Sequence, residues 1–312
     1  MSLEKILVGP LVLEPIQQEK IWGSTSLAPW FDVQGLEKPI GEAWLTSLEC
    51  GIETGPLKGQ TLGDAVRQFP ALLGAADDAA TLGFPLLIKV LFPREKLSVQ
   101  VHPNDEQAQE RGQRNGKTEC WYVLSAEPGA TVAVGFEERL TFEQMKAAVL
   151  DGSIERRLRH LPVRAGDLVY VDAGTVHAIG PGVVVLETQQ YSDVTYRLFD
   201  YGRGRGLHLE EGLDVARVET AAGLVTPQVH GDRVELVECE YFAVDRLVLR
   251  DGVGVVLDDS EGLQVMIALA DGCMLESVGG VVQMPKAQAV VVPAEGVAYT
   301  MRGVGDVVRV RR

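Results

Sequence analysis

Short runs of β-forming residues, each closed by glycine, proline, asparagine or aspartate, succeed one another from residue 86 to residue 199. The runs fall at residues 86–91, 97–102, 118–124, 131–134, 168–171, 183–189 and 195–199, which leaves little room for anything but a β-rich fold. One segment interrupts them. Thr141-Phe142-Glu143-Gln144 has the form of a capping box, so residues 142–150 are expected to be helical. No strand–helix–strand alternation follows, so the helix reads as an insertion near residues 138–160 in a β-barrel or jelly roll. The 34 glycines and 15 prolines fit a chain with many tight turns.

Upstream, residues 6–15 and 42–48 read as strands and Trp22-Gly23-Ser24 as a turn. Residues 61–76 read as a short helix pair, started by the N-cap candidate Thr61, broken at Pro70 and covering one end of a sheet. After about Leu207 the character shifts. Short β runs at residues 242–249, 254–257, 263–269 and 289–292 imply a second, smaller β domain. The expected division is residues 1–215 for a first barrel with its helical insertion and residues 216–312 for a second. A weak internal repeat supports it: Val169-Tyr170-Val171-Asp172-Ala173-Gly174-Thr175-Val176-His177 aligns with Val290-Val291-Val292-Pro293-Ala294-Glu295-Gly296-Val297-Ala298. His177 then stands opposite Ala298. No histidine follows His230, so the second copy cannot rebuild a histidine-containing metal site.

Charge and composition narrow the partners. A net charge of −15 opposes general nucleic-acid binding, which needs concentrated lysine and arginine, but leaves a small anion with a local cation cluster open. No apolar run reaches the roughly 20 residues needed to cross a bilayer, and no secretory signal pattern opens the chain. A cytoplasmic protein is expected. Cys50, Cys120, Cys239 and Cys273 are far apart and form no paired ligand motif, which suits free, buried thiols in a reducing compartment. Oligomeric state is not readable from the sequence.

The chemistry sits in the first barrel. Gln100 and His102, in Ser98-Val99-Gln100-Val101-His102-Pro103, are two residues apart, so a strand points both to one face. Lys117 and Glu119 share a face by the same parity in Gly116-Lys117-Thr118-Glu119-Cys120-Trp121. His177 follows a tight turn at Ala173-Gly174-Thr175-Val176. Gln100, His102, Glu119 and His177 together offer two imidazoles, a carboxylate and an amide oxygen, a set suited to Zn²⁺ or another borderline divalent ion. His160, His208 and His230 lack such surroundings and read as surface residues. Trp22, Trp44 and Trp121 read as core, and Glu137-Glu138-Arg139 and Glu155-Arg156-Arg157 as solvated charge runs. Gly202, Gly204 and Gly206, interleaved with Arg203 and Arg205, make only a weak phosphate-loop pattern.

The strings K-V-L-F-P-R-E-K-L-S-V-Q-V-H-P from Lys89, G-K-T-E-C-W-Y-V-L from Gly116, A-G-T-V-H-A-I-G from Ala173 and Q-Q-Y-S-D-V-T-Y-R-L-F-D-Y-G-R from Gln189 resemble the type I mannose-6-phosphate isomerases of the cupin superfamily, in their short bacterial form. The resemblance implies a zinc enzyme that interconverts mannose 6-phosphate and fructose 6-phosphate. It implies Gln100, His102, Glu119 and His177 as metal ligands, Lys117, Glu187, Asp193 and Arg197 in the active site, and Ser98 near the substrate. Asp172 departs from the proline many relatives carry there, which bears on the stiffness of the turn and not on the ligand.

Moving a proton between neighbouring carbons through an enediol needs a base, a proton shuttle and stabilisation of a developing oxyanion. Lys117 and Arg197 can neutralise enediolate or phosphate charge, Arg197 being suited to a bidentate grip. Glu187 and Asp193 are the acid–base candidates or orienting carboxylates, and parity puts Glu187, Gln189 and Tyr191 on one face. Two readings compete: a cupin isomerase or epimerase for another sugar phosphate, and a non-catalytic metal-containing sugar binder.

Overall fold

The computed structural model describes residues 9–74, 83–257, 262–278, 280–294 and 298–312. Residues 6–8 of the first expected strand, 75 and 76 of the helix pair, and 295–297 of the repeat lie outside the described residues. The chain is mainly β. Its first strands are β1 (Leu11–Val12), β2 (Ile16–Ser24), β3 (Ile40–Trp44), β4 (Leu86–Leu91), β5 (Val99–Val101) and β6 (Glu119–Ala126). Then come β7 (Thr131–Phe136), β8 (Leu158–Pro162), β9 (Leu168–Val171), β10 (His177–Ile179), β11 (Val183–Gln190) and β12 (Tyr196–Phe199). The helices are α1 (Leu62–Gln68), α2 (Asp105–Gln109), α3 (Phe142–Leu150) and α4 (Leu209–Val215).

The later strands are β13 (Gly223–Leu224), β14 (Gln228–His230), β15 (Arg233–Glu238), β16 (Ala243–Leu249), β17 (Val255–Leu257) and β18 (Gln264–Ala268). They end with β19 (Cys273–Ser277), β20 (Gly280–Met284), β21 (Ala289–Val292), β22 (Tyr299–Arg302) and β23 (Gly305–Arg311).

These strands form four antiparallel sheets in two pairs. A sheet in the order β13-β9-β6-β11-β4-β3-β2 faces one in the order β12-β5-β10-β7-β8, and a core of Trp22, Leu91, Trp121, Val134, Val169 and Ile179 fills the space between. A sheet in the order β1-β21-β18-β23-β16-β15-β14 faces β17-β22-β19-β20 over Leu247, Met266, Leu275, Val290 and Met301. The two seven-stranded sheets also pack on each other, joining Leu45, Ile88, Tyr122 and Leu186 with Leu236, Val244, Val265 and Val291 in one core. The outer face of the five-stranded sheet is covered by α3 and α4, with Met145, Val149 and Leu213 on Val99, Val101 and Leu198.

This layering accounts for the sequence pattern. Strands β4, β6 and β11 are buried on both faces, so they read as nearly continuous apolar runs. In β6, Cys120, Tyr122 and Leu124 enter the shared core, while Trp121 and Val123 face the first barrel.

The two seven-stranded sheets have the same order, position for position: β9, β6, β11, β4, β3 and β2 match β21, β18, β23, β16, β15 and β14. The aligned segments Val169–Val171 and Val290–Val292 thus occupy equivalent strands. The leading strand of each half is exchanged, β1 pairing with β21 and β13 with β9.

Helix α3 spans the expected residues with the complete Thr141–Gln144 capping box, and Thr61 caps α1 in the same way, with a 3-10 turn at Pro70–Leu73 after it. Two expectations are corrected. Trp22-Gly23-Ser24 is the end of β2 and not a turn: a Cβ on Gly23 would lie 2.5 Å from the Ile40 carbonyl oxygen and the Gly41 nitrogen, so glycine serves close backbone approach to β3. The strand expected over residues 42–48 is displaced to β3, because beyond Trp44 the Thr46 hydroxyl takes over ladder bonds, donating to the Leu86 carbonyl (2.9 Å) and accepting from the Ile88 amide (2.8 Å).

Gly23→Ala is therefore expected to cost about 1–3 kcal/mol by forcing β2 away from β3. Thermal unfolding at neutral pH checks this, and an unchanged melting temperature would refute the close-approach reading.

Candidate active site and metal centre

Strand parity brings the expected ligands to one point inside the first barrel. Val99 and Val101 turn to the core under the helices, so Ser98, Gln100 and His102 face inward along and just beyond β5. His177, the first residue of β10, stands opposite Gln100 across the strand pair. Glu119 is the first residue of β6. His102, Glu119 and His177 are fully buried, and their ligand atoms lie within 4.8 Å of one another.

The imidazoles are oriented by backbone carbonyls. His102 Nδ1–H donates to the Val194 carbonyl (2.8 Å) and His177 Nδ1–H to that of Thr175 (2.9 Å), since a carbonyl can only accept. Each ring therefore presents its Nε2 lone pair to the centre. Those atoms stand 3.7 and 3.5 Å from the two oxygens of Glu119. The Gln100 amide reaches the same place, with Nε2 3.2 Å from His177 Nε2 and Oε1 accepting from the Ser98 hydroxyl at 3.3 Å. Two imidazole lone pairs, a carboxylate and an amide converging at one buried point fit a divalent cation.

The turn before His177 is closed by Asp172, whose carboxylate accepts from the Thr175 hydroxyl (2.9 Å) and the Ala221 amide (3.2 Å). Hydrogen bonds thus stiffen the turn. Gly174 is required there by its φ of +86°.

Around the ligands the interior is charged and internally compensated. Lys117 Nζ contacts Glu119 Oε2 and lies 3.3 Å from His102 Nε2 and 3.7 Å from Glu187 Oε1. The Trp121 indole N–H is shared between Glu119 (3.1 Å) and Glu187 (3.3 Å). Lys89, only 2% exposed, lies 3.0 Å from Asp193, 3.7 Å from Glu187 and 3.9 Å from Glu42. Burial alone would discharge Lys89, but these carboxylates outweigh it and hold its pKa above the usual lysine value. Burial raises the pKa of Glu187 despite Lys117. It also acts on Asp193, where Lys89 overrides it and lowers the value. The imidazoles are kept neutral: burial, helped by Lys117, pushes His177 down to about 4 and His102 well below the ordinary histidine range.

A cavity of about 250 Å³ opens beside this cluster, lined among others by Lys20, Ser98, Gln100, Lys117, Glu187 and Arg197. Arg197 lies on β12 opposite Gln100 and donates through Nη1 to the Gly206 carbonyl (2.8 Å), while its buried Nε has no hydrogen-bond partner among the described residues. Arg205 also lines the cavity, held by Asp200 at 2.7 and 2.6 Å.

The sequence reading missed several of these residues. Lys89 had a visible signal, a lysine inside the otherwise apolar run Leu86–Leu91 of a strand buried on both faces. Trp121 was read as core, and it is, yet its N–H bridges two carboxylates. Glu42 and Lys20, 3.4 Å apart, come from β3 and β2 and carried no local motif. Tyr191 does not share the inward face with Glu187, because β11 ends at Gln190 and the Tyr191 hydroxyl accepts from the Leu48 amide (2.9 Å). His208 is half-buried, its Nδ1 accepting from the Arg197 amide (3.1 Å), whereas His160 and His230 are exposed as expected.

Strand register shows what occupies the corresponding place in the second barrel. Glu119 pairs with Val171 and Gln189, and Gln264 pairs with Val292 and Arg311. Glu187 pairs with Trp121 and Lys89, and Arg309 with Met266 and Asp245. Glu119 thus corresponds to Gln264, and the pair Lys89–Glu187 to Asp245–Arg309 with the charges exchanged.

Fold and site together define a class, a cupin barrel with a metal-binding constellation in its interior. The sequence model of the phosphomannose isomerase type I catalytic domain matches residues 11–142. The chain is 38% identical over 255 residues to the mannose-6-phosphate isomerase ManA of Bacillus subtilis (strain 168), covering 76% of this chain and 78% of that one. It is 38% identical over 222 residues to the mannose-6-phosphate isomerase of Streptococcus mutans, covering 68% and 69%. A crystal structure of the Bacillus subtilis mannose 6-phosphate isomerase superposes with a TM-score of 0.89 at 28% identity, over 98% of this chain and 100% of that one. The chain belongs to the type I phosphomannose isomerase family, and so to the aldose–ketose isomerases.

The neutral imidazoles make the metal-free protein acid-sensitive. The unfolded chain takes up histidine protons below about pH 6.5, whereas folded His177 stays neutral until about pH 4, so stability is full above that window and falls as pH drops through it. The expected slope is about 1.4 kcal/mol per pH unit for each histidine. Chemical denaturation of the chelated protein from pH 7 to pH 4 tests this, and His177→Gln should flatten the dependence.

Proposed function

We propose that this chain interconverts mannose 6-phosphate and fructose 6-phosphate through an enediol, using one zinc ion held by Gln100, His102, Glu119 and His177. The supporting observation is that Gln100 of the donor set, the buried Glu187 carboxyl of raised pKa and the Arg197 guanidinium line one cavity, beside the buried cluster of His102, Glu119 and His177. Bound there, the ion would supply Lewis acidity toward substrate oxygens. Gln100 would offer its amide oxygen to such an ion.

Glu187 is the proposed proton-transfer group. Its raised pKa brings it closer to neutrality, where a carboxylate can both remove and return a carbon-bound proton. The Trp121 N–H fixes one of its oxygens. Lys117 neutralises charge developing on the neighbouring substrate oxygens. Asp193 holds Lys89 and sets the charge of the cavity wall. Arg197 takes the phosphate with the guanidinium it presents to the cavity, with Ser98 on the sugar side.

The catalytic unit is assigned to residues 1–215, with residues 216–312 as a supporting β unit, apart from the exchanged leading strands. A cytoplasmic setting suits the four free thiols of Cys50, Cys120, Cys239 and Cys273. The net charge of −15 disfavours nucleic acid as a partner.

Turnover of mannose 6-phosphate, followed as fructose 6-phosphate formed, is expected to vanish on chelation and to return with Zn²⁺. A metal-replete chain that leaves mannose 6-phosphate unchanged would sink this reading. Glu187→Gln should lower kcat by roughly 100- to 10,000-fold with metal content intact. Arg197→Ala should raise KM for the phosphorylated sugar at full metal content, and an unaltered KM would remove Arg197 from the phosphate site.

A further inference from the structure

The segment carrying Lys117 and Glu119 needs support that β6 does not give. Glu119 is the first residue of that strand, so Gly116, Lys117 and Thr118 precede the regular β6 span. Their amides are taken up elsewhere: Gly116 donates to Asp105 Oδ1 (2.7 Å), Lys117 to the Pro103 carbonyl (3.0 Å) and Thr118 to Gln190 Oε1 (2.8 Å). Gln190 closes the arrangement by donating from Nε2 to the same Asp105 oxygen (2.8 Å). Two side chains therefore hold the amides on either side of Lys117, and the second of these directly precedes Glu119.

Gln190 lies at the end of β11 and is 5% exposed. The residues after it supply Asp193 and the Val194 carbonyl that orients His102. One amide side chain thus links the ends of two segments that deliver active-site groups. Gly116 approaches α2 so closely that a Cβ would lie 2.6 Å from the Asp105 amide nitrogen.

We infer that Gln190 and Asp105 are positioning residues that set Lys117 and Glu119 for metal and substrate. The inference rests on the proposed roles of Lys117 and Glu119. Amide and carboxylate are complementary here, since Gln190 must accept from Thr118 and donate to Asp105 at once. Replacing the amide by a carboxylate keeps the first bond, loses the second and sets two negative groups together.

The test measures zinc affinity by competition with a chromogenic chelator, beside kcat and KM for mannose 6-phosphate. Gln190→Glu is expected to weaken zinc binding and lower kcat by roughly 10- to 100-fold. Adding Asp105→Asn exchanges the two groups, restores a donor facing the new carboxylate and should recover most of that loss. Wild-type zinc affinity in Gln190→Glu, or a double variant no better than the single one, would overturn the inference. Should Gln190→Glu fail to fold, Gln190→Ala removes both bonds without adding charge and is read by the same criteria. Zinc titration is independent of turnover, so a wild-type chain that binds zinc without isomerase activity fails the proposed function and leaves the positioning pair testable.

Discussion

A carboxylate with no exposure, Glu119, sits inside a barrel walled by valine, leucine and tryptophan. A buried carboxylate is costly unless it is paired and hydrogen-bonded. Lys117, the Trp121 N–H and the facing imidazoles are its partners. The same logic extends outward. Glu187 is balanced between Lys117 and Lys89, and Lys89 in turn between Glu187, Glu42 and Asp193. Removing one member of such a set leaves an uncompensated buried charge, at about 3–5 kcal/mol, so the cluster acts as a unit.

Such a cluster works only on a rigid wall. Strands β4, β6 and β11 are adjacent in a seven-stranded sheet whose other face is sealed by the second barrel, so their inward side chains cannot shift without moving the shared core. The exchanged leading strands add to this. β1 belongs by sequence to the first half and β13 to the start of the second, yet each completes the sheet of the other. The two barrels are thereby joined through backbone ladders as well as side-chain packing.

Much of this was legible in the sequence because strand parity is a local rule. Two residues of spacing sufficed to place Gln100 with His102 and Lys117 with Glu119 on one face, and the capping box placed α3 over Phe142–Leu150. The strands expected at residues 86–91 and 168–171 were recovered at those bounds because turn residues flank them tightly. What could not be read was long-range. Glu42 and Lys20 meet Lys89 only once β2, β3 and β4 are in register, and Gln190 meets Asp105 across 85 residues of chain. Gly23 misled because a glycine serving close strand approach has the same local signature as one in a turn. Tyr191 misled because parity holds only while the strand continues.

The second barrel shows which part of the arrangement the fold demands and which part the chemistry demands. At the register positions of Lys89 and Glu187 it carries Asp245 and Arg309, with the carboxylate accepting from Arg309 at 2.7 Å, from Arg233 at 2.8 Å and from Arg311 at 3.0 Å. Cross-strand charge compensation is retained, but with opposite polarity. Where the first barrel places Glu119, the second places neutral Gln264. A barrel interior that admits charged groups at all must pair them, and either polarity satisfies that requirement. Binding a cation is a stricter condition, because the acid must sit on the strand facing the histidines. The first half brings His102 and His177 to face Glu119, with their ligand atoms within 4.8 Å of one another. The second keeps the ion pair, and its seven-stranded sheet seals the back of the first barrel.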